Sequence, residues 1–263
     1  MLDPAAAQDL TARLRAAGCV FAEDEARLLL AEGWAPDVLE AAVDRRVAGV
    51  PLEHILGWAA FAGLRIAVDP GVFVPRRRTE FLVEEAAALA RPGSVVVDLC
   101  CGSGAVAAAL MAAIDGLEAY AADIDPAAVA CARRNLEAGG ATVLEGDLDA
   151  PLPTQLEGRV DVLVANAPYV PSDEIRLLPP EARTYEPRPT LDGGSDGLDV
   201  VRRVAACSPR WLAPGGHLLV ETSGRQAGEA VDVFARVGLD PRVARSDDLD
   251  ATVVIGAMSE DPA

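Results

Sequence analysis

The sequence predicts an α/β fold with a mostly parallel sheet, preceded by a small helical domain and a β-hairpin. Apolar residues recur at helical spacing in about the first fifty residues, and a turn-rich segment follows them. From about residue 80 onward, short apolar runs alternate with helical patterns. Strands that alternate with helices pair in parallel, because each helix returns the chain to the same end of the sheet.

The helical pattern runs from Asp9 to Val47. Asp37 follows Pro36 at a predicted helix start, and Gly49-Val50-Pro51 supplies the stop and exit expected after a helix. We assign residues 1–57 to a small helical domain.

Two extended segments follow the helical domain, Phe61 to Val68 and Val72 to Val74. Asp69-Pro70-Gly71 lies between them and has the composition of a turn. We predict that the two segments pair as a hairpin, and we assign residues 58–75 to a linker.

The third part, residues 76–263, alternates helix and strand. Helices are predicted at about 80–90, 104–114, 126–138, 197–211 and 225–236, and strands at about 95–99, 118–123, 141–145, 160–165, 216–222 and 250–258. Residues 167–196 lack a regular pattern. Compact domains seldom keep so long an irregular segment without a function, so we expect it to engage the substrate.

The composition limits the classes of partner. The chain has 263 residues, 51% hydrophobic and 24% charged, which suits a sizeable core. Its 23 basic residues, all arginine, and 41 acidic residues give a formal net charge of −18. Such acidity disfavours nucleic acid, whose phosphates carry the same sign of charge. We expect no direct nucleic-acid partner.

Two further expectations concern location and metal binding. The start lacks the basic and apolar regions of a secretory signal, and no apolar run approaches the roughly 20 residues that span a bilayer. We therefore expect a cytoplasmic protein without membrane contact, and we favour a monomer. Five cysteines without C-x-x-C spacing predict no metal site. Cys100 and Cys101 are interpreted as small residues in a tight loop, because buried free cysteine packs as a small hydrophobe.

The turn after strand 95–99 has the features of a ligand loop. Ligands of open α/β sheets bind at the carboxyl ends of strands, where Gly102 and Gly104 let the backbone approach them. Asp123 ends the next strand, and its carboxylate can accept both hydroxyl hydrogen bonds of a ribose. The third glycine of the NAD fingerprint is missing, so S-adenosylmethionine is preferred over NAD. The alternative for the glycines is a purely structural turn.

Two more aspartates follow predicted strands. Asp125 precedes Pro126 and is interpreted as the cap of the next helix. Asp147 ends a strand and turn, where it can reach an adenine amino group while Leu148 packs on the ring. The alternative for Asp147 is a turn aspartate.

Asn166-Ala167-Pro168-Tyr169 follows strand 160–165 and carries the clearest chemical signal. An amide or exocyclic amino nitrogen is a poor nucleophile, because its lone pair is delocalised. The Asn166 side-chain oxygen and the Ala167 carbonyl can each accept one N–H of such a group, and Tyr169 can pack on its flat face. Alignment of this kind lowers the activation barrier by on the order of 7–11 kcal/mol in well-oriented systems. The alternative is a strand-ending turn with an aromatic plug.

The order of these and other motifs resembles the protein-(glutamine-N5) methyltransferases, the HemK-like family that methylates the Gly-Gly-Gln glutamine of release factors. The similarity covers about residues 44–222. Its blocks are Phe61 with Gly63, Val74 to Arg76 with Thr79 and Glu80, Asp98 to Gly104, Asp123 to Pro126, Asn166 to Tyr169, Tyr185 to Pro187, Leu191 to Gly194, Asp196 to Leu198, and Pro214 to Gly216.

The resemblance implies a Rossmann-like class I S-adenosylmethionine-dependent methyltransferase with a seven-stranded, mostly parallel sheet. It implies that Asn166, Ala167, Pro168 and Tyr169 hold the target amide. The predicted cofactor-binding residues are Asp98, Cys100, Cys101, Gly102, Ser103, Gly104, Asp123, Ile124, Asp147, Leu148 and Asn166.

Three departures make this a divergent member. Ala167 stands where the family has proline, which keeps the carbonyl but loosens the loop. The family's Pro-Arg-Pro-Glu-Thr-Glu is Pro75-Arg76-Arg77-Arg78-Thr79-Glu80, and we interpret the added arginines as a solvated surface. The helical domain, which helps to dock the release factor in relatives, is predicted to be short, with little sequence between Leu30 and Ala41.

The leading hypothesis is therefore methyl transfer to the glutamine amide of release factors. An N-methyltransferase acting on a small molecule or on another peptide or protein is the alternative that the short helical domain favours. Adenine methylation of nucleic acid uses a similar clamp but conflicts with the acidity. A non-catalytic S-adenosylmethionine-binding module is the hypothesis from a different class.

Overall fold

The computed structural model describes residues 4–260, so the outermost ends of the predicted ranges 1–57 and 76–263 lie outside it. The helices are α1 (Pro4–Ala16), α2 (Ala22–Ala31), α3 (Pro36–Val47), α4 (Leu52–Leu56), α5 (Glu80–Leu89), α6 (Ala105–Ala113), α7 (Pro126–Leu136), α8 (Pro180–Tyr185), α9 (Asp199–Trp211) and α10 (Ala227–Arg236). The strands are β1 (Trp58–Phe61), β2 (Leu64–Ala67), β3 (Val95–Leu99), β4 (Glu118–Asp123), β5 (Thr142–Glu145), β6 (Val160–Ala165), β7 (Leu212–Thr222), β8 (Asp240–Ser246) and β9 (Ala251–Ala257).

Seven strands form one sheet in the order β5-β4-β3-β6-β7-β9-β8. The five strands from β5 to β7 pair in parallel, whereas β9 is antiparallel to both β7 and β8. The expectation of a seven-stranded, mostly parallel sheet is confirmed.

Strand β3 lies at the centre of the fold, and all five of its residues are buried. Val95, Val97 and Leu99 join the hydrophobic core on one face of the sheet, and Val96 joins the core on the other face. Helices cover both faces, which explains why β3 reads as a continuous apolar run rather than an alternating one. Asp98 is the polar exception, with 1% of its surface exposed.

Strand β8 was not predicted from the sequence. It contains Asp240 and two arginines, and it lies at the edge of the sheet beside the apolar β9. Charged residues are usual on edge strands, because they oppose pairing with another chain. The same charges hide the strand from a search for apolar runs.

The predicted hairpin is wrong in its pairing. The structure pairs β1 with β2 through a two-residue turn at Ala62 and Gly63, whose φ angles of 48° and 75° suit the tight turn of a hairpin. Asp69-Pro70-Gly71 does form a turn, in which the Val72 N–H donates to the Asp69 carbonyl. However, Val72 to Val74 form no strand, and the Val72 carbonyl contacts His54 instead.

The first four helices share a core of their own around Leu14, Leu29 and Val43. Arg46 of α3 is 5% exposed and binds Glu25 of α2 and Glu181 of α8. This arginine connects the helical part to the segment 167–196, in which α8 is a short helix that the sequence did not predict. Among the helices within residues 4–260, none is long and apolar enough to cross a membrane.

Candidate active site

The carboxyl ends of β3, β4 and β6 lie side by side, because Leu99 is in register with Ala122 on one side and with Ala165 on the other. The predicted ligand turn, Asp98 to Gly104, therefore lies next to the predicted acceptor clamp, Asn166 to Tyr169. The two motifs are about 70 residues apart in the chain, and the topology of the sheet brings them together.

The turn from β3 to α6 is built around left-handed backbone. Cys100, Gly102 and Gly104 have φ angles of 56°, 54° and 77°. A Cβ atom at Gly102 would meet nothing within 4 Å, so the backbone there faces open space. A Cβ atom at Gly104 would lie 3.0 Å from Leu136 and 3.1 Å from Ala132. Gly104 thus allows α6 and α7 to pack closely.

Asp123 joins the turns that follow β3 and β4. Its Oδ2 accepts the N–H of Gly102 at 2.8 Å, and its Oδ1 accepts the N–H of Asp125 at 2.9 Å. Burial raises the pKa of Asp123, although these backbone N–H groups oppose the rise. Burial also raises the pKa of Asp98 to about 7. Asp125 caps α7 by accepting the N–H of Ala127 at 2.9 Å, which confirms its predicted role.

The remaining predicted cofactor residues surround this turn. Asp147 forms an ion pair with Arg203 at 2.7 Å, and the adjacent Leu148 is buried with a φ of 50°. Burial raises the pKa of the thiols of Cys100 and Cys101, which are both free. Both cysteines are therefore protonated thiols at neutral pH, the state in which cysteine packs as a small apolar residue.

Asn166 donates from Nδ2 to the Thr79 hydroxyl at 3.3 Å. Within residues 4–260 no group donates a hydrogen bond to its Oδ1, which leaves that oxygen available to a ligand. Ala167 is 1% exposed, and among the described residues none donates a hydrogen bond to its carbonyl. The Tyr169 hydroxyl donates to Glu221 at 3.0 Å.

Gly193 of the irregular segment and Gln226, which lies just before α10, brace this clamp. Gln226 is a site residue that no sequence motif indicated. Gln226 donates from Nε2 to the Tyr169 carbonyl at 2.9 Å and to the Asp196 carbonyl at 2.8 Å. The N–H of Gly193 donates to the Val170 carbonyl at 2.9 Å. A Cβ atom at Gly193 would lie 2.6 Å from the Pro168 carbonyl oxygen, so only glycine fits there without movement.

The two arginines added to the family pattern, Arg77 and Arg78, are exposed as expected, whereas Arg76, which the pattern shares, binds a buried carboxylate. Both Glu186 oxygens lie 2.6 Å from Arg76 Nη2, and Glu186 is 5% exposed. Arg78 also lines the site. Burial raises the pKa of both Tyr169 and Glu221, and the positive charge of Arg78 opposes that rise.

A single cavity of about 570 Å³ connects the turn after β3 with the clamp and with the segment 167–196. This volume lies within the range of about 300–1,000 Å³ that is usual for ligand sites. The predicted site residues that line it are Asp98, Cys100, Cys101, Gly102, Ser103, Asp123, Ile124, Asp147, Leu148, Asn166, Ala167, Pro168 and Tyr169. Gly104 does not line it, which agrees with its contacts to α7.

Comparisons with known proteins identify the family. Residues 63–177 match the family model "Methyltransferase small domain". The chain is 43% identical over 198 residues to a release factor glutamine methyltransferase of Geobacter sulfurreducens, an alignment that covers 74% of this chain and 69% of that protein. The chain belongs to the release factor glutamine methyltransferase family. A family member from Cereibacter sphaeroides is 38% identical over 260 residues, which cover 90% of this chain and 91% of the relative.

A solved structure supports the fold of this family member independently. The methyltransferase from Pyrococcus furiosus matches with a TM-score of 0.57 over 84% of this chain and 98% of its own, at 16% sequence identity. At that identity, the likeness concerns the fold alone. The class I methyltransferase fold that the sequence predicted is confirmed.

Members of this methyltransferase family take their methyl group from S-adenosylmethionine, which is therefore the cofactor of this chain. The residues present fit it. The space in front of Gly102 is open, and the carboxylates of Asp98, Asp123 and Asp147 line the cavity, as suits a cationic sulfonium compound with ribose hydroxyls. In the part of the chain that the structure describes, no cluster of three potential metal ligands accompanies them.

Proposed function

We propose that this protein transfers a methyl group to the N5 nitrogen of the Gly-Gly-Gln glutamine of peptide-chain release factors. Membership of the family carries the proposal, together with an Asn166 side-chain oxygen that is left free beside the cavity. On this proposal the partner is a protein. The enzyme acts as a monomer in the cytoplasm, where translation terminates.

The clamp residues act on the acceptor amide in this proposal. Asn166 Oδ1 and the Ala167 carbonyl each accept one N–H of the glutamine, which fixes the plane of the amide. Tyr169 packs against that plane. When bound, S-adenosylmethionine would supply the methyl group together with its positive charge, and the neutral S-adenosylhomocysteine would remain. Neither carbonyl is a base, so the amide loses its proton only after transfer has made the nitrogen cationic, when that nitrogen is acidic enough for water to take the proton.

The remaining site residues have cofactor roles in the same proposal. Gly102 allows close backbone approach, Asp123 accepts the ribose hydroxyl hydrogen bonds, and Leu148 packs on the adenine with Asp147 near its amino group. The other proposed cofactor contacts are Asp98, Cys100, Cys101, Ser103, Ile124 and Asn166. Residues 1–57 dock the release factor, and residues 58–75 link them to the catalytic domain.

Labelled S-adenosylmethionine tests the substrate. We expect label on a purified release factor and none on the same factor with its Gly-Gly-Gln glutamine replaced. Equal label on both factors would contradict methylation of that glutamine. No label on any release factor, with cofactor binding demonstrated by calorimetry, would refute the proposed substrate and direct attention to small molecules or other peptides.

Asp123→Ala tests the cofactor site. The variant loses the ribose acceptor and the hydrogen bond that holds the Gly102 N–H. Because hydrogen bonds to a charged partner contribute about 1.5–3 kcal/mol each, we expect the Kd for S-adenosylmethionine to rise at least about tenfold.

Asp161→Ala is the matched control for that variant. Asp161 lies outside the cavity and also accepts a backbone N–H, from Val95 at 2.8 Å, so its loss should lower the free energy of unfolding by about 1.5–3 kcal/mol with little change in cofactor affinity. Calorimetric titration and thermal unfolding measure both variants. Equal losses of cofactor affinity in the two would contradict the assignment of Asp123.

A further inference from the structure

The short helix α8 forms one wall of the cavity, and it belongs to the acceptor half of the site. Most of the proposed cofactor residues lie at the ends of β3 and β4 or in the turn after β5, whereas α8 comes from the segment 167–196, which begins in the clamp after β6. In the sheet, β6 lies on the opposite side of β3 from β4 and β5. Glu181 and Ala182 of α8 line the cavity together with Pro51 and Glu53 of the helical part. The proposed reaction gives α8 no role.

One end of α8 is held by the helical part through Arg46 of α3. Its guanidinium donates from Nη1 to Glu181 at 2.9 Å. It also donates to both carboxylate oxygens of Glu25 in α2, at 2.5 and 3.1 Å, and to the Val50 carbonyl at 3.2 Å. Arg46 is buried, and the low local dielectric strengthens these hydrogen bonds. A single arginine therefore connects α2 and α3 to the wall of the cavity.

The other end of α8 is held by the linker. Glu186, the residue after α8, accepts the Val74 N–H at 3.3 Å and binds Arg76. The helix between these two attachments has six residues, and Ala182 is its buried residue. An isolated helix of this length is unstable in water. The position of α8 therefore depends on its two arginine–carboxylate contacts more than on an apolar face.

We propose that Glu181 is a positioning residue for the acceptor: through Arg46, the helical part holds the α8 wall in place for the peptide that contains the target glutamine. The inference rests on the proposed function, because it requires a peptide acceptor. A wall contacts the peptide equally before and during methyl transfer, so its displacement weakens acceptor binding and leaves kcat unchanged. Glu181 acts on the wall and not on the peptide, so an uncharged side chain that still accepts from Arg46 is sufficient.

Glu181→Ala removes one end of the attachment and leaves the buried arginine paired with Glu25, so the fold should persist. Acceptor affinity falls with the fraction of molecules in which the wall is in place. We expect KM for the release factor to rise about 3- to 10-fold, which corresponds to a wall in place in roughly a tenth to a third of molecules. The kcat and the Kd for S-adenosylmethionine should remain those of the wild type. Glu181→Gln, whose amide oxygen can accept the same N–H, should recover most of the loss.

Glu174→Ala is the matched control. Glu174 lies in the same segment, has a similarly exposed side chain and pairs with Arg225 at 2.7 Å, but it does not line the cavity. Its KM should equal that of the wild type, and an equal rise in KM would overturn the inference.

Two results with the Glu181 variants would also overturn it. An unchanged KM in Glu181→Ala, with or without a lower kcat, would mean that the ion pair only stabilises the fold, because fewer folded molecules lower the apparent kcat and leave KM as it is. A KM in Glu181→Gln as high as in Glu181→Ala would mean that the carboxylate meets the peptide directly.

A second readout needs no acceptor. Hydrogen exchange of the full chain, followed by mass spectrometry, measures how often α8 opens. The N–H groups of Arg183 and Glu186 donate to the carbonyls of Pro179 and Ala182. These amides should lose most of their protection in Glu181→Ala and keep it in Glu174→Ala. Unchanged protection in Glu181→Ala overturns the inference even if no release factor is methylated, whereas absence of methylation by the wild type refutes the proposed function alone.

Discussion

Asn166→Ala is expected to lower kcat for methyl transfer about 100- to 1,000-fold, the loss that follows removal of one preorganised hydrogen-bonding group from an active site. The reason is geometric. Without Oδ1, the acceptor amide keeps a single partner, the Ala167 carbonyl, and can rotate about that contact. The lone pair of the nitrogen is then rarely in line for transfer.

Cofactor affinity separates this effect from a general loss of structure. Asn166→Ala should bind S-adenosylmethionine nearly as well as the wild type, since the carboxylates and the open backbone at Gly102 are unchanged. Gln155→Ala removes an exposed amide outside the cavity and serves as the control, with wild-type turnover expected. If Asn166→Ala turned over at the wild-type rate, the clamp assignment would be wrong.

Local sequence was sufficient to predict the strands that carry the site. The bounds of β3, β4 and β6 agree with the expected 95–99, 118–123 and 160–165. Burial on both faces makes β3 and β6 mostly apolar, with one aspartate in each, Asp98 and Asp161. The polar residue that ends β4 or follows β6 marks where each strand reaches the ligand. Strand β8 could not be recognised as an apolar run, because it lies at the edge of the sheet, where a strand covered on one face can carry charged residues.

The pairing of the hairpin was beyond the same reasoning. Asp-Pro-Gly is a strong turn signal, whereas Ala62-Gly63 is a weak one, yet the chain reverses tightly at the weaker signal. Packing decides the outcome: Val72 and Val74 are buried in the core with α5, and the Val72 carbonyl is held by His54. Such contacts depend on residues that are distant in sequence.

The site also has a part that local sequence predicts and a part that it does not. The glycine turn, Asp123 and the clamp could each be identified from the residues next to them in the chain. The groups that hold the clamp come from far along the chain: Thr79 lies 87 residues before Asn166, and Gln226 lies 57 residues after Tyr169. No spacing rule predicts such partners, because the tertiary fold alone brings them together.

Gly193→Ala tests whether this remote brace positions the clamp. Gly193 is buried, and its backbone conformation is open to any residue, so the space around it decides the effect. The added methyl group would lie 2.6 Å from the carbonyl oxygens of both Pro168 and Gly197. Backbone cannot move aside as a flexible side chain does, so Pro168 and the adjoining Ala167 carbonyl must shift. A displacement of about 1 Å costs on the order of 100-fold in rate, and we expect a loss of that size in kcat.

Gly228→Ala makes the same chemical change without the crowding. Gly228 lies in α10, where an added methyl group would meet nothing within 4 Å, and alanine there should raise the free energy of unfolding by about 0.5–1 kcal/mol through its helix propensity. Its turnover should equal that of the wild type.

Because Gly193 lies on the clamp side of the cavity, Gly193→Ala should still bind S-adenosylmethionine, as calorimetry can measure. A loss of cofactor affinity as large as the loss of kcat would mean that the brace supports the whole cavity, whereas a selective loss of kcat means that the irregular segment exists to hold the acceptor turn in place.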